Sequence, residues 1–214
     1  TLGAINRIVA AAKRGRRVRF AAWHSQHAPA VSAARDALAG AQVAALDICW
    51  REDFDKFHAG QEWMWAPGGF GVFDTGINAL SIASRILPMP LIVRSADLLV
   101  PANRQAPVAA RLDFGPELTA RFDWRLEAGE EWTIRVETGD GRRIALCDGG
   151  GRLVVDGVAR PAAERNEYAG VYACFAELLA ARRSEVDREP LRIVDDAFMI
   201  GRRESVAPFG EQGR

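Results

Sequence analysis

The sequence predicts an α+β fold, a mainly antiparallel open sheet with helices on one face. Three patterns carry that expectation. Between residues 91 and 156 apolar and polar residues alternate with period two in a succession of segments, the spacing of half-buried strands. Glycine-rich turns, "TGDGRR" and "DGGGR", join neighbours in that stretch directly, which only antiparallel pairs permit. Helical spacing of apolar residues is confined to the segments before and after it.

At the amino end Leu2, Ile5, Ile8 and Val9 recur at helical spacing, Gly15 stops the helix, and "VRFAAW" follows as a short buried strand. A lone helix and strand cannot cover their own apolar faces. The chain also begins with Thr1 inside the helical pattern, so residues 1–22 read as the last helix and strand of a larger α/β layer whose earlier part lies upstream. Residues 23–214 read as a second domain. Within it "HAPAVSAARDALAG" is expected as a helix with Val31, Ala34 and Leu38 on one face. "QVAALDICWRE" follows as a strand, Leu46, Ile48 and Trp50 alternating with Asp47, Cys49 and Arg51, and it delivers Glu52 and Asp53 to its end.

Residues 55–67 have no clean period and read as a loop weighted with Phe57, His58, Trp63 and Trp65. The stretch "GGFGVFDTGINAL" then opens a helix running to about Leu87, ended by Pro88 and Pro90. Strands are expected in "LIVRSADLLV", "APVAARLDF", "LTARFDWRLE", "EWTIRVET", "RRIALCD" and "RLVVDG". Two helices close the chain, "EYAGVYACFAELLAAR" and "PLRIVDDAFMIGRRES", the second with Pro190 near its start. The sheet face not covered by helices is expected to be partly apolar and to suit a partner subunit, giving a homo-oligomer.

Composition narrows the function. The 214 residues carry 28 Lys+Arg against 28 Asp+Glu, so no overall field attracts nucleic acid or an acidic membrane. The three cysteines lack CxxC or Cys/His spacing, which suggests neither a disulfide framework nor a metal site and fits the cytoplasm. No apolar run of membrane-spanning length occurs. The sequence has no P-loop, GxSxG, HExxH or complete GxGxxG.

What remains is a polar set with aromatic neighbours. Asp74 and Asn78 stand four residues apart and share a helix face. Asp74 reads either as the helix cap or as an acid/base group. Asn78, between Ile77 and Leu80, has poor helix propensity and needs partners if buried, and a sugar hydroxyl offers both donor and acceptor. Adjacent Glu52 and Asp53 point to opposite faces of a strand, and Glu52 is the one assigned to the pocket. His58 and Phe57 are further candidates for substrate binding, and Trp124 is the candidate indole face for a sugar ring.

The segment "EWMWAPGGFGVFDTGINALSIASRILP" resembles the substrate-domain motif of the glucose-fructose oxidoreductase and inositol dehydrogenase family, most closely its bacterial aldose 1-dehydrogenases. "AAWHSQHAPAV", "WREDFDKFHAGQEW", "FDWR" and "PLRIVDDAFMIGRR" match the same subgroup in order. The resemblance implies an NAD- or NADP-dependent sugar dehydrogenase that oxidises L-arabinose or D-galactose at C1 to the lactone. It implies an amino-terminal dinucleotide-binding domain, and the glycines and the Glu-Lys-Pro lysine of that domain are not among these residues. This polypeptide alone is therefore expected to be inactive. The family's usual histidine is Asn78 here, so catalysis falls to Asp74 while Asn78 orients the substrate. The alternative is a stand-alone sugar-binding or dimerisation module without redox activity.

Overall fold

The computed structural model describes residues 1–161 and 166–210. Helix α1 (Leu2–Arg14) is followed by a 3-10 turn (His24–His27), α2 (Val31–Leu38), β1 (Val43–Asp53), the short α3 (Phe54–His58), a second 3-10 turn (Glu62–Trp65) and α4 (Phe73–Ile86). Seven strands come next: β2 (Ser95–Pro101), β3 (Ala109–Gly115), β4 (Leu118–Asp123), β5 (Arg125–Thr138), β6 (Arg143–Cys147), β7 (Arg152–Val155) and β8 (Val158–Arg160). Helices α5 (Glu167–Ala180) and α6 (Glu189–Ile200) and strand β9 (Arg202–Val206) end the described chain.

The nine strands form one sheet in the order β8-β7-β6-β5-β1-β4-β3-β2-β9. The β1–β4 and β2–β9 pairs are parallel and the others antiparallel. Helices α2, α4 and α6 pack on one face. Core-facing residues of that face, among them Leu46, Ile48, Leu112, Phe122 and Ile134, are buried against Phe73, Ile77, Leu80 and Val194. Gly76 allows α4 to approach closely, because a Cβ there would lie 2.8 Å from the Phe122 ring.

Strands β4 and β5 flank β1, so the chain must cross the carboxyl end of β1 between Asp123 and Arg125. Trp124 makes that crossing. Its amide donates to the Val108 carbonyl and its own carbonyl accepts from the Phe54 amide, while the indole goes into the core, 1% exposed. The alternation in "FDWRLE" therefore conceals a break between two strands.

Other expectations are corrected. "VRFAAW" is not a strand: Phe20 makes one isolated bridge, to Glu185, because the described residues offer this segment no longer edge to pair with. The helix expected in "HAPAVSAARDALAG" begins only at Val31, preceded by the 3-10 turn. The expected loop holds α3, whose amides at Asp55 and Lys56 donate to the Asp53 carboxylate. The last helix stops at Ile200, because Gly201 is extended and Arg202–Val206 adds an edge strand beside β2.

The open sheet face, expected to be partly apolar, carries Leu99, Ala145 and Val154 only half-buried, but charge dominates its centre. Asp47 on β1 pairs with Arg121 on β4 (3.3 Å) and Arg135 on β5 (3.4 Å), and Arg51 with Glu131 (3.7 Å). Cys49, 1% exposed, lies in the same row, its thiol pushed up to about 11 by burial and by its contact with Glu131.

Candidate active site

The carboxyl end of β1 turns Glu52 toward the helices, where it is 2% exposed. Three N–H groups reach it. His58 Nε2 lies 2.7 Å and Trp124 Nε1 3.0 Å from Oε1, and Trp132 Nε1 lies 2.9 Å from Oε2. Indoles only donate, so Glu52 accepts from both tryptophans, and with the carboxylate ionised the His58 ring nitrogen that faces it, Nε2, is the one that carries the proton. Its other ring nitrogen, Nδ1, is buried with no partner among the described residues. Trp124 also donates to Thr75 Oγ1 of α4 (3.1 Å), tying the strand end to the helix.

Glu52 and His58 border a cavity of about 230 Å³. One wall is aromatic: Trp50 and Trp132, neighbours across β1 and β5, stack with centroids 5.6 Å apart, and Phe57 lies 5.5 Å from Trp132. Helix α4 contributes Thr75 and Asn78. The remaining side is His24, whose Nδ1 is 2.7 Å from Glu167 Oε2 and whose ring stacks on Tyr168. A site with polar groups at its base and indole faces at its side suits a ring that carries both hydroxyls and C–H groups.

Asp74, one turn before Asn78, borders a second cavity of about 310 Å³ together with Trp63, Pro67, Gly68, Gly69 and Phe70. Trp63 is well exposed there. Burial pushes the Asp74 carboxyl above its ordinary value of 3.8; the charge of His58 opposes the shift and that of Glu52 adds to it. The amino end of α4 thus fronts both cavities. A separate, wider depression of about 1020 Å³ lies on the charged sheet face and holds none of these groups.

Of the residues singled out in the sequence, Glu52, His58, Phe57 and Asn78 meet at one cavity, and Asp74 borders the next. Trp124 does not offer a face to a ligand. It lies behind the cavity, fully buried, where its indole N–H holds Glu52 and Thr75. Asp74 is not the cap of α4, since Val72 occupies that position. The glycines before it are required by the chain itself, because a Cβ on Gly69 or Gly71 would lie 2.3 Å from the carbonyl of Met64 or Pro107. Trp132, Thr75, His24 and Glu167 escaped the sequence reading. For His24 the one signal was its place in the matched segment "AAWHSQHAPAV"; Glu167 stands 143 residues away from its partner and gave none.

No family model matches the chain. It is 45% identical over 187 residues to the galactose 1-dehydrogenase of Pseudomonas fluorescens, a match covering 86% of this chain and 61% of that protein. The chain therefore spans less than two thirds of the length of that curated relative. The crystal structure of D-galactose-1-dehydrogenase from Rhizobium etli superposes with a TM-score of 0.93 at 42% identity, over 98% of this chain and 68% of that one. KijD10, a 3-ketoreductase from Actinomadura kijaniata, shares the fold at 16% identity, with a TM-score of 0.74 over 94% of this chain and 68% of its own.

The architecture common to both structures is an α+β domain built on one open sheet. The chain belongs to the glucose-fructose oxidoreductase and inositol dehydrogenase family.

Proposed function

We propose that residues 23–214 are the substrate domain, and residues 1–22 the last part of a dinucleotide-binding domain, of an NAD(P)-dependent aldose 1-dehydrogenase. Its substrate is D-galactose or L-arabinose, oxidised at C1 to the lactone. The observation that carries this reading is the 42% identity, with a TM-score of 0.93, to D-galactose-1-dehydrogenase over 98% of the chain. Helix α1 supports the domain assignment: it is amphipathic, yet none of its residues is buried.

The described residues form no pyrophosphate cradle. The glycines at 68, 69 and 71 do not lie in a strand-to-helix turn, and two of them press on the chain's own carbonyls. A dinucleotide-binding domain, in cis or in trans, has to hold the cofactor. The nicotinamide, when bound, supplies the hydride acceptor for C1.

This chain's own residues bind and orient the sugar. Asn78 and the orphaned Nδ1 of His58 bond ring hydroxyls, and Glu52 fixes the His58 and Trp132 rings that shape the cavity. Trp50, Trp132 and Phe57 cover the C–H face and keep water out. Asp74 accepts the proton of the anomeric hydroxyl, and its raised pKa makes it the stronger base for that step. With the proton on Asp74 and the hydride gone from C1, the carbon–oxygen bond becomes the lactone carbonyl. We place the protein in the cytoplasm and expect it to self-associate through the open sheet face, whose alternating Arg and Asp side chains can meet their opposites on a second copy.

The test is a panel of D-galactose, L-arabinose and D-glucose with both nicotinamides, run on this polypeptide and on the same polypeptide joined to a dinucleotide-binding domain. The joined protein is expected to reduce nicotinamide with D-galactose or L-arabinose, and the isolated one with none. Sugar binding without turnover in the joined protein would favour the alternative, a stand-alone sugar-binding or dimerisation module.

A further inference from the structure

A second kind of site lies at the carboxyl ends of α1 and α5. Residues 13–19 and 182–184 enclose a cavity of about 610 Å³ lined by Lys13, Arg16, Arg17, Arg19, Arg182 and Ser184, with Val18. No carboxylate lines it. Several other cations of this neutral chain are paired, as in Arg192 with Glu189 and Asp196, Arg202 with Asp97, and Arg121 with Asp47, while others such as Arg94 and Arg111 stand singly among the described residues. Glu185, next in sequence to the cavity, pairs instead with Arg85. The five cations have no ion pair among the described residues.

Cations are favoured near a helix carboxyl end, which accounts for one or two of these side chains at each helix. It does not account for five facing one cavity, where they repel one another. The backbone adds a second oddity: Arg16 (φ 51°) and Arg182 (φ 50°) both adopt the left-handed conformation just past the caps of α1 and α5, a place glycine takes at lower cost. The site is also braced. Arg19 donates to Ser184 Oγ from Nε (3.2 Å) and from its amide (3.1 Å), and its Nη1 donates to the Val9 carbonyl (2.9 Å). With its oxygen so occupied, the Ser184 hydroxyl is left to donate.

We propose that this cavity binds the di- or triphosphate chain of a small molecule. Guanidinium groups match phosphate oxygens in pairs, and a single phosphate carries too little charge for five cations. The proposal stands apart from the sugar reaction and does not depend on it.

The test titrates this chain with tripolyphosphate and with orthophosphate at ionic strength held constant by sodium chloride. One tripolyphosphate per chain is expected, bound more tightly than orthophosphate and raising the thermal midpoint. Arg16→Gly and Arg182→Gly remove the cations while suiting the backbone, so both variants should keep the fold, and each should weaken tripolyphosphate binding roughly tenfold. An Arg202→Gln/Arg203→Gln variant at the far edge of the sheet should bind as the parent does. The proposal fails if tripolyphosphate binds no better than orthophosphate, if the glycine variants bind undiminished, or if the far-edge variant loses as much.

Discussion

Asp74 stands in the first turn of α4, where the helix dipole favours a negative charge, yet burial still raises its carboxyl above 3.8. In the window between that ordinary value and the raised one, the folded chain binds more protons than the unfolded chain. Stability therefore falls as pH rises through the window and stays lower above it. Asp74→Asn removes this cost, so its thermal midpoint should exceed the parent's at pH 7 and match it near pH 3. Differential scanning calorimetry at the two pH values decides the point, and a variant no more stable at pH 7 would overturn the assignment to burial. In the joined enzyme the same variant should lower kcat by roughly 10²- to 10⁴-fold, the scale of a lost general base. Together the two results would describe a residue held at the expense of stability for the reaction. Glu52 is the opposite case. Its carboxylate satisfies three N–H groups in the core, so Glu52→Ala leaves them unanswered and should cost about 3 kcal/mol or more in urea unfolding. A loss below about 1 kcal/mol would mean that water reaches those donors.

Helix α4 joins the core to both cavities, and Gly76 sets its height above the sheet. Gly76→Ala should improve helix propensity by nearly 1 kcal/mol, but its methyl would press on the Phe122 ring, so a net loss of about 1–3 kcal/mol is expected. A neutral or stabilising result would show that the ring can move aside. The start and end of this helix were legible because apolar spacing and two prolines are local signals. So was the pairing of Glu52 with the core and Asp53 with the surface, which follows from strand alternation alone. The role of Trp124 was not legible: nothing local distinguishes an indole that faces a ligand from one at which the chain crosses between β4 and β5. Strand β9 hid in "RRESV", because an edge strand with charged residues on both faces shows no apolar alternation. The His24–Glu167 contact joins segments far apart in the sequence, and no spacing rule reaches that distance.

At the scale of the whole molecule the two sheet faces are built on different principles. One is closed by apolar packing under α2, α4 and α6; the other is a lattice of ion pairs in which Asp47 serves two arginines and Arg135 two acids. The sequence showed the alternation but not which charges would meet across the strands, because the ion pairs join residues of β1, β4 and β5 that only the strand order brings side by side. Half-exposed ion pairs contribute little to folding, each about 0–1 kcal/mol, so their number here is poorly explained by stability. The self-association proposed above would give them a use, because opposite charges set the register between copies and exclude other partners. If two copies meet on this face, the contact should weaken as salt shortens the range of the charges to about 3 Å at 1 M. Light scattering at low salt should then give a multiple of the 23.4 kDa chain and move toward the single chain at high salt. Asp47→Arg sets like charges against Arg121 and Arg135, and should leave a folded monomer at every salt concentration. A multimer that salt strengthens, or that survives this substitution, would move the contact to an apolar surface, for which the exposed Tyr168, Tyr172 and Leu179 of α5 are the place to look next.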